Sequence, residues 1–246
     1  LSSGHHMHYL TPVVDWEYYN GLLYDFASKD YRQGINRLTT QITLGDNVRS
    51  AYRNMRPRWG YALRLTHSFN PTNRDFAHTL ALFGQALTPG VARNHSLRLR
   101  GAFQTIEKGK HYSFHQRDLY PRGAEYTLTS SPSRYVATAI DYQLPLCYPE
   151  GGIPTFLYFK RIRLNVGFDY ASFDKQSFIA NKDPEPGDIA NITERRKHLF
   201  AYGGDLTFDV NFFRMPSAAT VALTLSVYKP HGKKGMFVSG GVGLPF

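Results

Sequence analysis

The sequence predicts an all-β fold, an antiparallel up-and-down transmembrane β-barrel with nine or ten strands in its 246 residues. Several segments alternate apolar and polar residues, as strands with one apolar and one polar face do. Aromatic residues make up 15% of the chain, which suits the aromatic girdles of a membrane barrel. Mean hydropathy is −0.39, and no run of about 18 apolar residues occurs, so a membrane-spanning helix is excluded.

The N-terminal part carries the weakest strand signal. Alternation over residues 9–19 is poor, and Pro12 would remove a hydrogen bond from a sheet. Residues 1–33 are therefore expected to be an N-terminal segment, either a first strand or the end of a missing upstream region. Residues 34–246 are expected to form the barrel.

The clearest alternation lies in the second half of the chain. Between residues 205 and 212 every odd residue is polar and every even residue is apolar. Residues 221–228 show a similar pattern after a turn at Pro216, which predicts a hairpin. Residues 161–170 alternate charged or polar with apolar side chains, and such charge fits a watery lumen better than a dry sandwich core. Further strands are predicted over residues 38–44, 59–69, 79–88, 97–105, 136–146 and 238–246, with almost no helix.

The links between these strands differ on the two predicted rims. Two links on the far rim are long and polar, whereas the near-rim links are shorter and rich in Pro and Gly, as in outer-membrane barrels. The link over residues 46–58 is longer than this arrangement requires. The far links are residues 70–78, 107–133, 172–197 and 229–235, and the near links are residues 89–95, 145–155 and 214–217.

The last predicted strand ends in an aromatic residue, Phe246. Alternating apolar residues before a terminal Phe resemble the signal read by the machinery that inserts barrels into the Gram-negative outer membrane. The alternative is an ordinary edge strand, and Pro245 removes one of its hydrogen bonds. The residues of this C-terminal insertion signal are Val238, Val242, Leu244 and Phe246.

Six stretches go beyond generic barrel patterning. In their order and spacing they resemble the C-terminal outer-membrane barrel of large Bacteroidota envelope proteins, those with a TolB-like β-propeller in the N-terminal part. The resemblance covers residues 34–246 and is more specific in the later half. It implies a Gram-negative outer-membrane location, with a propeller and earlier barrel strands upstream, and it brings no catalytic residue. The stretches are residues 56–60, 89–99, 120–123, 141–150, 157–163 and 206–214.

Eight charged residues fall on the predicted inner face. They would line a pore that selects a solute, or they would form a ladder of cross-strand ion pairs that plugs a narrow lumen. The mixture of signs favours the ladder, because a selective pore tends towards one sign. These lumen-facing residues are Arg98, Arg100, Asp141, Arg161, Arg163, Asp169, Asp205 and Asp209.

A second group of polar residues lies in a predicted external loop. His111, His115 and Asp118 could bind a metal or form a hydrolase site, and the histidine spacing matches His-Glu-x-x-His. That motif needs a helix and a Glu, whereas Tyr112 stands at the Glu position and no helix is predicted. The terminal histidines His5, His6 and His8 could chelate metal incidentally. We therefore expect no catalytic residue, no metal ligand, no cofactor and no enzyme activity, and the lone Cys147 excludes an intrachain disulfide.

The net charge of +10 arises partly from basic clusters at strand ends. Nucleic-acid binding would need such residues interleaved with exposed aromatics, so contact with lipopolysaccharide is favoured and no nucleic-acid partner is expected. The clusters are Lys229, His231, Lys233 and Lys234, and Arg195, Arg196 and Lys197.

The expected function is that of an integral outer-membrane barrel in transport, translocation or envelope assembly. The barrel is complete with ten strands or is the C-terminal part of a larger one, which the resemblance favours. Its expected partners are outer-membrane lipids, lipopolysaccharide, the barrel-assembly machinery and other envelope subunits. Three alternatives stay open: an outer-membrane protease or lipid-modifying enzyme, a structural anchor with a plugged lumen, and a soluble β-sandwich.

Overall fold

A computed structural model shows an all-β chain. It describes residues 2–3, 6–25, 29–48, 56–108, 110–114, 118–124, 134–153, 156–178, 192–212, 220–232 and 234–243, with the backbone alone over 2–3, 175–178 and 192–195. The described part of the chain contains no helix that could span a bilayer. Its strands are β1 (Ser2–Ser3), β2 (His6–Asp25), β3 (Asp30–Val48), β4 (Gly60–Phe69), β5 (Phe76–Ala77), β6 (Thr79–Pro89), β7 (Ser96–Ile106), β8 (Tyr112–Ser113), β9 (Arg134–Cys147), β10 (Gly151–Ile153), β11 (Leu157–Phe178), β12 (Ile192–Phe212), β13 (Val221–Pro230) and β14 (Phe237–Gly243).

The strands form one antiparallel up-and-down sheet in the order β1-β2-β3-β4-β6-β7-β9-β11-β12-β13-β14. The short β10 pairs with β11, and β5 pairs in parallel with β8 in a separate small sheet. Ten long strands make up the main sheet, so the predicted all-β class and the up-and-down antiparallel order are confirmed. The sheet is not closed, because no pairing among the described residues joins β14 to the β1–β2 end.

The N-terminal strand is longer than its sequence pattern suggests. β2 runs over 20 residues and pairs with β3 on one side, with Pro12 opposite Ile42. An edge strand tolerates Pro because its outer side has no partner that needs an N–H. The expected boundary between residues 33 and 34 lies inside β3, so residues 6–25 belong to the same sheet as the following strands.

The predicted link over residues 172–197 is wrong in extent. β11 continues to Phe178 and β12 begins at Ile192, and the two strands stay paired from Phe173 opposite Lys197 to the end. The residues of this extension are mostly polar on both faces, so they lack the alternation that marks a half-apolar strand. Backbone pairing continues there without that signal.

The two faces of the sheet differ in an unusual way. One face, here called the apolar face, exposes a large apolar side chain on every long strand. The opposite face, here called the polar face, buries charged and amide side chains, including Asp141 and Asp209 at 0% exposure and Gln104 at 1%. A sheet in water buries its apolar face instead. The apolar face is represented, at 41% to 69% exposure, by Leu10, Ile42, Leu65, Leu82, Phe103, Ile140, Val166, Tyr202, Leu225 and Val238.

Candidate functional site

Charged side chains collect on the polar face because the register of neighbouring strands brings them into adjacent rows. Arg98 on β7 lies opposite Asp141 on β9, and Asn165 on β11 lies opposite Asp205 on β12. Side chains at paired positions of an antiparallel sheet lie on the same face, within contact distance. Residues that are far apart in sequence therefore form one polar site.

Asp141 contacts three arginine side chains, more than any other carboxylate of this site. One of its oxygens accepts hydrogen bonds from Arg98 Nη2 at 2.9 Å and from Arg100 Nη2 at 2.7 Å. Its other oxygen lies 2.8 Å from Arg122 Nη2 and accepts from Asn165 Nδ2 at 3.2 Å. Three guanidinium groups therefore share this carboxylate, and one of them, Arg122, also pairs with Asp169.

Arg122 organises the neighbouring group, although it comes from a link and not from a strand. Its backbone N–H and its Nε donate to Asp169 at 2.9 and 2.7 Å. Its Nη1 donates to the Tyr228 hydroxyl and lies 3.4 Å from Asp205. Burial opposes the charge of Arg122, but the hydrogen bond to Asp169 and the nearby carboxylates outweigh burial and raise its pKa. Arg122 therefore remains a cation.

Two glycines allow close packing around Arg122, one on β11 and one next to it in the chain. A Cβ at Gly167 on β11 would collide with the guanidinium of Arg122, so this strand position accepts no larger residue without displacing the arginine. Gly123 has φ +72°, a left-handed conformation that favours glycine. A Cβ at Gly123 would also lie 2.6 Å from the Cβ of Phe237. The turn at Gly123 thus packs against the last strand of the sheet.

Arg122 belongs to a segment that crosses the polar face, here called the plug segment and defined as residues 110–114 and 118–124. At one end, the Tyr112 hydroxyl donates to the carbonyl of Tyr24 on β2 at 3.0 Å. In the middle, Asp118 pairs with Arg64 on β4. At the other end, Arg122 and Gly123 contact β11 to β14. The prediction of an external loop over residues 107–133 is therefore wrong for this part, which packs on the polar face.

Backbone carbonyls also bind the plug segment to the sheet. Thr79 Oγ1 on β6 donates to the carbonyl of Phe114 at 2.6 Å, and the Tyr135 hydroxyl on β9 donates to the carbonyl of Leu119 at 2.5 Å. Tyr135 and Leu119 are both buried. The strands thus hold the plug segment through two of its backbone carbonyls as well as through ion pairs.

A second group of positive charge lies beside Asp141. Asp209 is fully buried and pairs with both Arg161 and Arg163. Arg56 lies in the link after β3, close to other arginines. Burial, followed by repulsion from Arg98, lowers its pKa to about 10. Five guanidinium groups here face two carboxylates. We call this set the arginine cluster: Arg56, Arg98, Arg100, Arg161 and Arg163, with Asp141 and Asp209.

All eight charged residues that the sequence predicted to face a lumen take part in ion pairs or hydrogen bonds on the polar face. The sequence did not single out Arg122, Arg56 or Gly167 for this site. Arg56 and Arg122 lie in two of the stretches that carry the resemblance, which was the only signal for them. A glycine inside a strand, as at Gly167, often marks close approach of another group.

The other predicted residues lie apart from this site. His111 Nδ1 is 3.8 Å from Asp75, whereas Asp118 pairs with Arg64, and His115 lies outside the described residues. Lys229 Nζ donates to the carbonyl of Lys234 at 3.2 Å. Arg196 lies 3.4 Å from Asp174, and the exposed Lys197 pairs with Phe173 inside β12 and not before a strand, as the sequence predicted. His231 is exposed directly after β13, and Cys147 is an exposed free thiol.

The predicted C-terminal signal is described in part. Val238 and Val242 on β14 are 61% and 76% exposed on the apolar face. Leu244 and Phe246 lie outside the described residues, as do Lys233, His5 and the side chain of Arg195. The insertion signal therefore stays a prediction.

Comparisons with models of protein families, with curated proteins and with solved structures find no match to this chain. The polar site can hold the plug segment through charge, and its arginine cluster can attract anions.

Proposed function

We propose that the chain is an integral outer-membrane β-barrel protein of a Gram-negative bacterium, acting in transport, translocation or envelope assembly. The observation that carries this proposal is the reversed polarity of the sheet, with exposed apolar side chains on all ten long strands and buried charges behind them. Outer-membrane barrels have this arrangement because lipid covers their outer surface. Contiguous apolar patches of this extent are rare on proteins that face water.

In a membrane, the unpaired edges of the sheet would need additional pairing. In lipid, each unpaired backbone group costs several kcal/mol, so an open sheet edge is not tolerated. The edges at β2 and β14 therefore pair with each other in the membrane or with further strands. The resemblance to the barrels of large Bacteroidota envelope proteins favours further strands, and with them a periplasmic propeller and other envelope subunits as partners.

The surroundings proposed for the barrel follow from its exposed residues. The apolar face would contact outer-membrane lipids. Lys229 near the end of β13, Lys234 in the following turn and Arg196 near the start of β12 would contact lipopolysaccharide. Val238 and Val242 supply the described part of the signal for the barrel-assembly machinery. Each of these contacts is part of the proposal.

A structural anchor is the second candidate function, and the plug segment favours it. The segment contacts strands from β2 to β14 and fills part of the polar face. Transport through such a barrel would require the segment to move, whereas an anchor requires it to stay. An enzyme site in the external loops has no comparable support, because His111 and Asp118 have different partners.

The test is heat-modifiable gel migration of the detergent-folded chain, with conductance of the same sample in a planar bilayer. A membrane barrel migrates compactly before boiling and more slowly afterwards. Steady conductance then supports transport, and compact migration without conductance supports the anchor. Identical migration before and after boiling, with a chain that stays monomeric in water without detergent, would refute the membrane proposal.

A further inference from the structure

Three metal-binding side chains converge where β2 begins and β3 ends. His8 lies directly opposite Asp46, and His6 precedes His8 by two residues on the same strand. His6 Nδ1 is 2.9 Å from one oxygen of Asp46, and His8 Nδ1 is 3.4 Å from the other. Because side chains alternate along a strand, the His-x-His spacing places both rings on one face.

The geometry of these groups suits a small tetrahedral ion. The three ligand atoms lie within 4.8 Å of one another, whereas ligands of a tetrahedral zinc ion at about 2.0–2.1 Å are separated by about 3.3 Å. Small side-chain rotations would therefore bring all three into range. The two imidazole rings are nearly parallel, 10° apart with centroids at 5.9 Å, and both direct Nδ1 towards the carboxylate.

The site is accessible from outside yet held on rigid elements. The side chains of His6 and His8 are about half exposed, and that of Asp46 is 14% exposed. All three residues lie in paired strands. They lie on the apolar face at its margin, one row beyond Leu10 and Leu44, and so on the opposite side of the sheet from the arginine cluster.

We propose that His6, His8 and Asp46 form a binding site for a divalent transition metal ion of the zinc type. The ligands would be the two Nδ1 atoms and a carboxylate oxygen of Asp46, with water in the fourth position. Two imidazoles with one carboxylate suit Zn²⁺, whereas Ca²⁺ and Mg²⁺ take oxygen ligands. The ion would tie the edge strand β2 to β3. This site does not depend on the proposed membrane function.

The simplest competing explanation is that Asp46 only accepts a hydrogen bond from His6 and lies close to His8. Competition titration of the folded chain with ZnCl₂ and a chromogenic zinc chelator distinguishes metal binding from this explanation. Binding of one Zn²⁺ per chain is expected, and His8→Ala and Asp46→Asn should each weaken it by about tenfold or more. Asp46→Asn retains an oxygen that can accept a hydrogen bond, so it separates metal ligation from the hydrogen bonding.

The matched control is His67→Ala. His67 is a histidine on β4 whose ring bonds to His78 at 3.1 Å, and its loss should leave Zn²⁺ binding unchanged. Circular dichroism of each variant checks that the sheet is intact. Continuous-wave EPR of the Cu²⁺-loaded chain should show coupling to two imidazole nitrogens, which His8→Ala reduces to one. Absence of stoichiometric Zn²⁺ binding, or binding that survives both ligand substitutions, would overturn the proposal.

Discussion

Arg122 and Asp169 are joined by three hydrogen bonds, although 47 residues separate them. The backbone N–H, Nε and Nη2 of Arg122 donate to the carboxylate of Asp169 at 2.9, 2.7 and 2.8 Å. Asp169 is 1% exposed, so its carboxylate is shielded from water and is hydrogen-bonded to the plug segment instead. The pair therefore attaches the plug segment to β11.

Arg122→Ala is expected to destabilise the fold, because it leaves Asp169 buried without its cation. Removing one partner of a buried ion pair costs about 3–5 kcal/mol. The free energy of unfolding, measured by urea titration of the folded chain, should fall by that order. Arg122→Lys keeps the charge but loses the forked N–H donors of the guanidinium. Its free energy of unfolding should therefore lie between those of the unmodified chain and Arg122→Ala. A loss below about 0.5 kcal/mol, the range of ordinary surface substitutions, would contradict this role.

Gly167→Ala is expected to displace Arg122 from Asp169, since the added Cβ would occupy the position of the guanidinium. The change should destabilise the chain, whereas Ala for Gly inside a strand is usually neutral or favourable. Gly101→Ala is the control, because a Cβ at that strand position meets nothing within 4 Å. Thermal melting followed by circular dichroism compares the two. Equal melting temperatures would show that Gly167 has no such role.

Val166→Lys distinguishes a lipid-facing surface from a water-facing one. Val166 is 50% exposed on the apolar face, and a Lys at the midplane of a membrane barrel costs about 2–4 kcal/mol. The same substitution on a surface that faces water changes the free energy of unfolding by no more than about 0.5 kcal/mol. Val91→Lys, at a turn residue that is 97% exposed, is the control. Refolding into lipid vesicles should be impaired by the first substitution and unaffected by the second.

Conductance should depend on the plug segment and on the arginine cluster. In planar bilayers, Arg122→Ala is expected to raise the frequency of open events over that of the unmodified chain, because the segment loses its attachment to β11. The current should be anion-selective, since five guanidinium groups face two carboxylates in the cluster. Reversal potentials in asymmetric KCl measure this selectivity, and Arg163→Gln should reduce it. Cation-selective current would contradict the prediction.

Sequence alternation predicted strands best where a strand has one apolar and one polar face. The hairpin of residues 205–212 and 221–228 was confirmed, with Asp205 opposite Ser226. The same reasoning failed for the ends of β11 and β12, because polar residues on both faces carry no periodic signal. The alternation was also weak in β2, because a strand at the edge of the sheet tolerates Pro12 and polar residues at positions where the pattern expects apolar ones.

Local alternation by itself determined the all-β class, the antiparallel up-and-down order and the assignment of charged residues to one face. The side-chain period of a strand is a property of the backbone, so it can be read without knowing the partner strands. Only the tertiary structure decided which charges meet. Register between strands places Asp141 beside Arg98 and sets Asp46 beside His6 and His8. The path of the link brings Arg122 to Asp141 and Asp169. These residues are 19 to 47 positions apart, and they meet only through strand pairing and the path of a link, which no local pattern specifies.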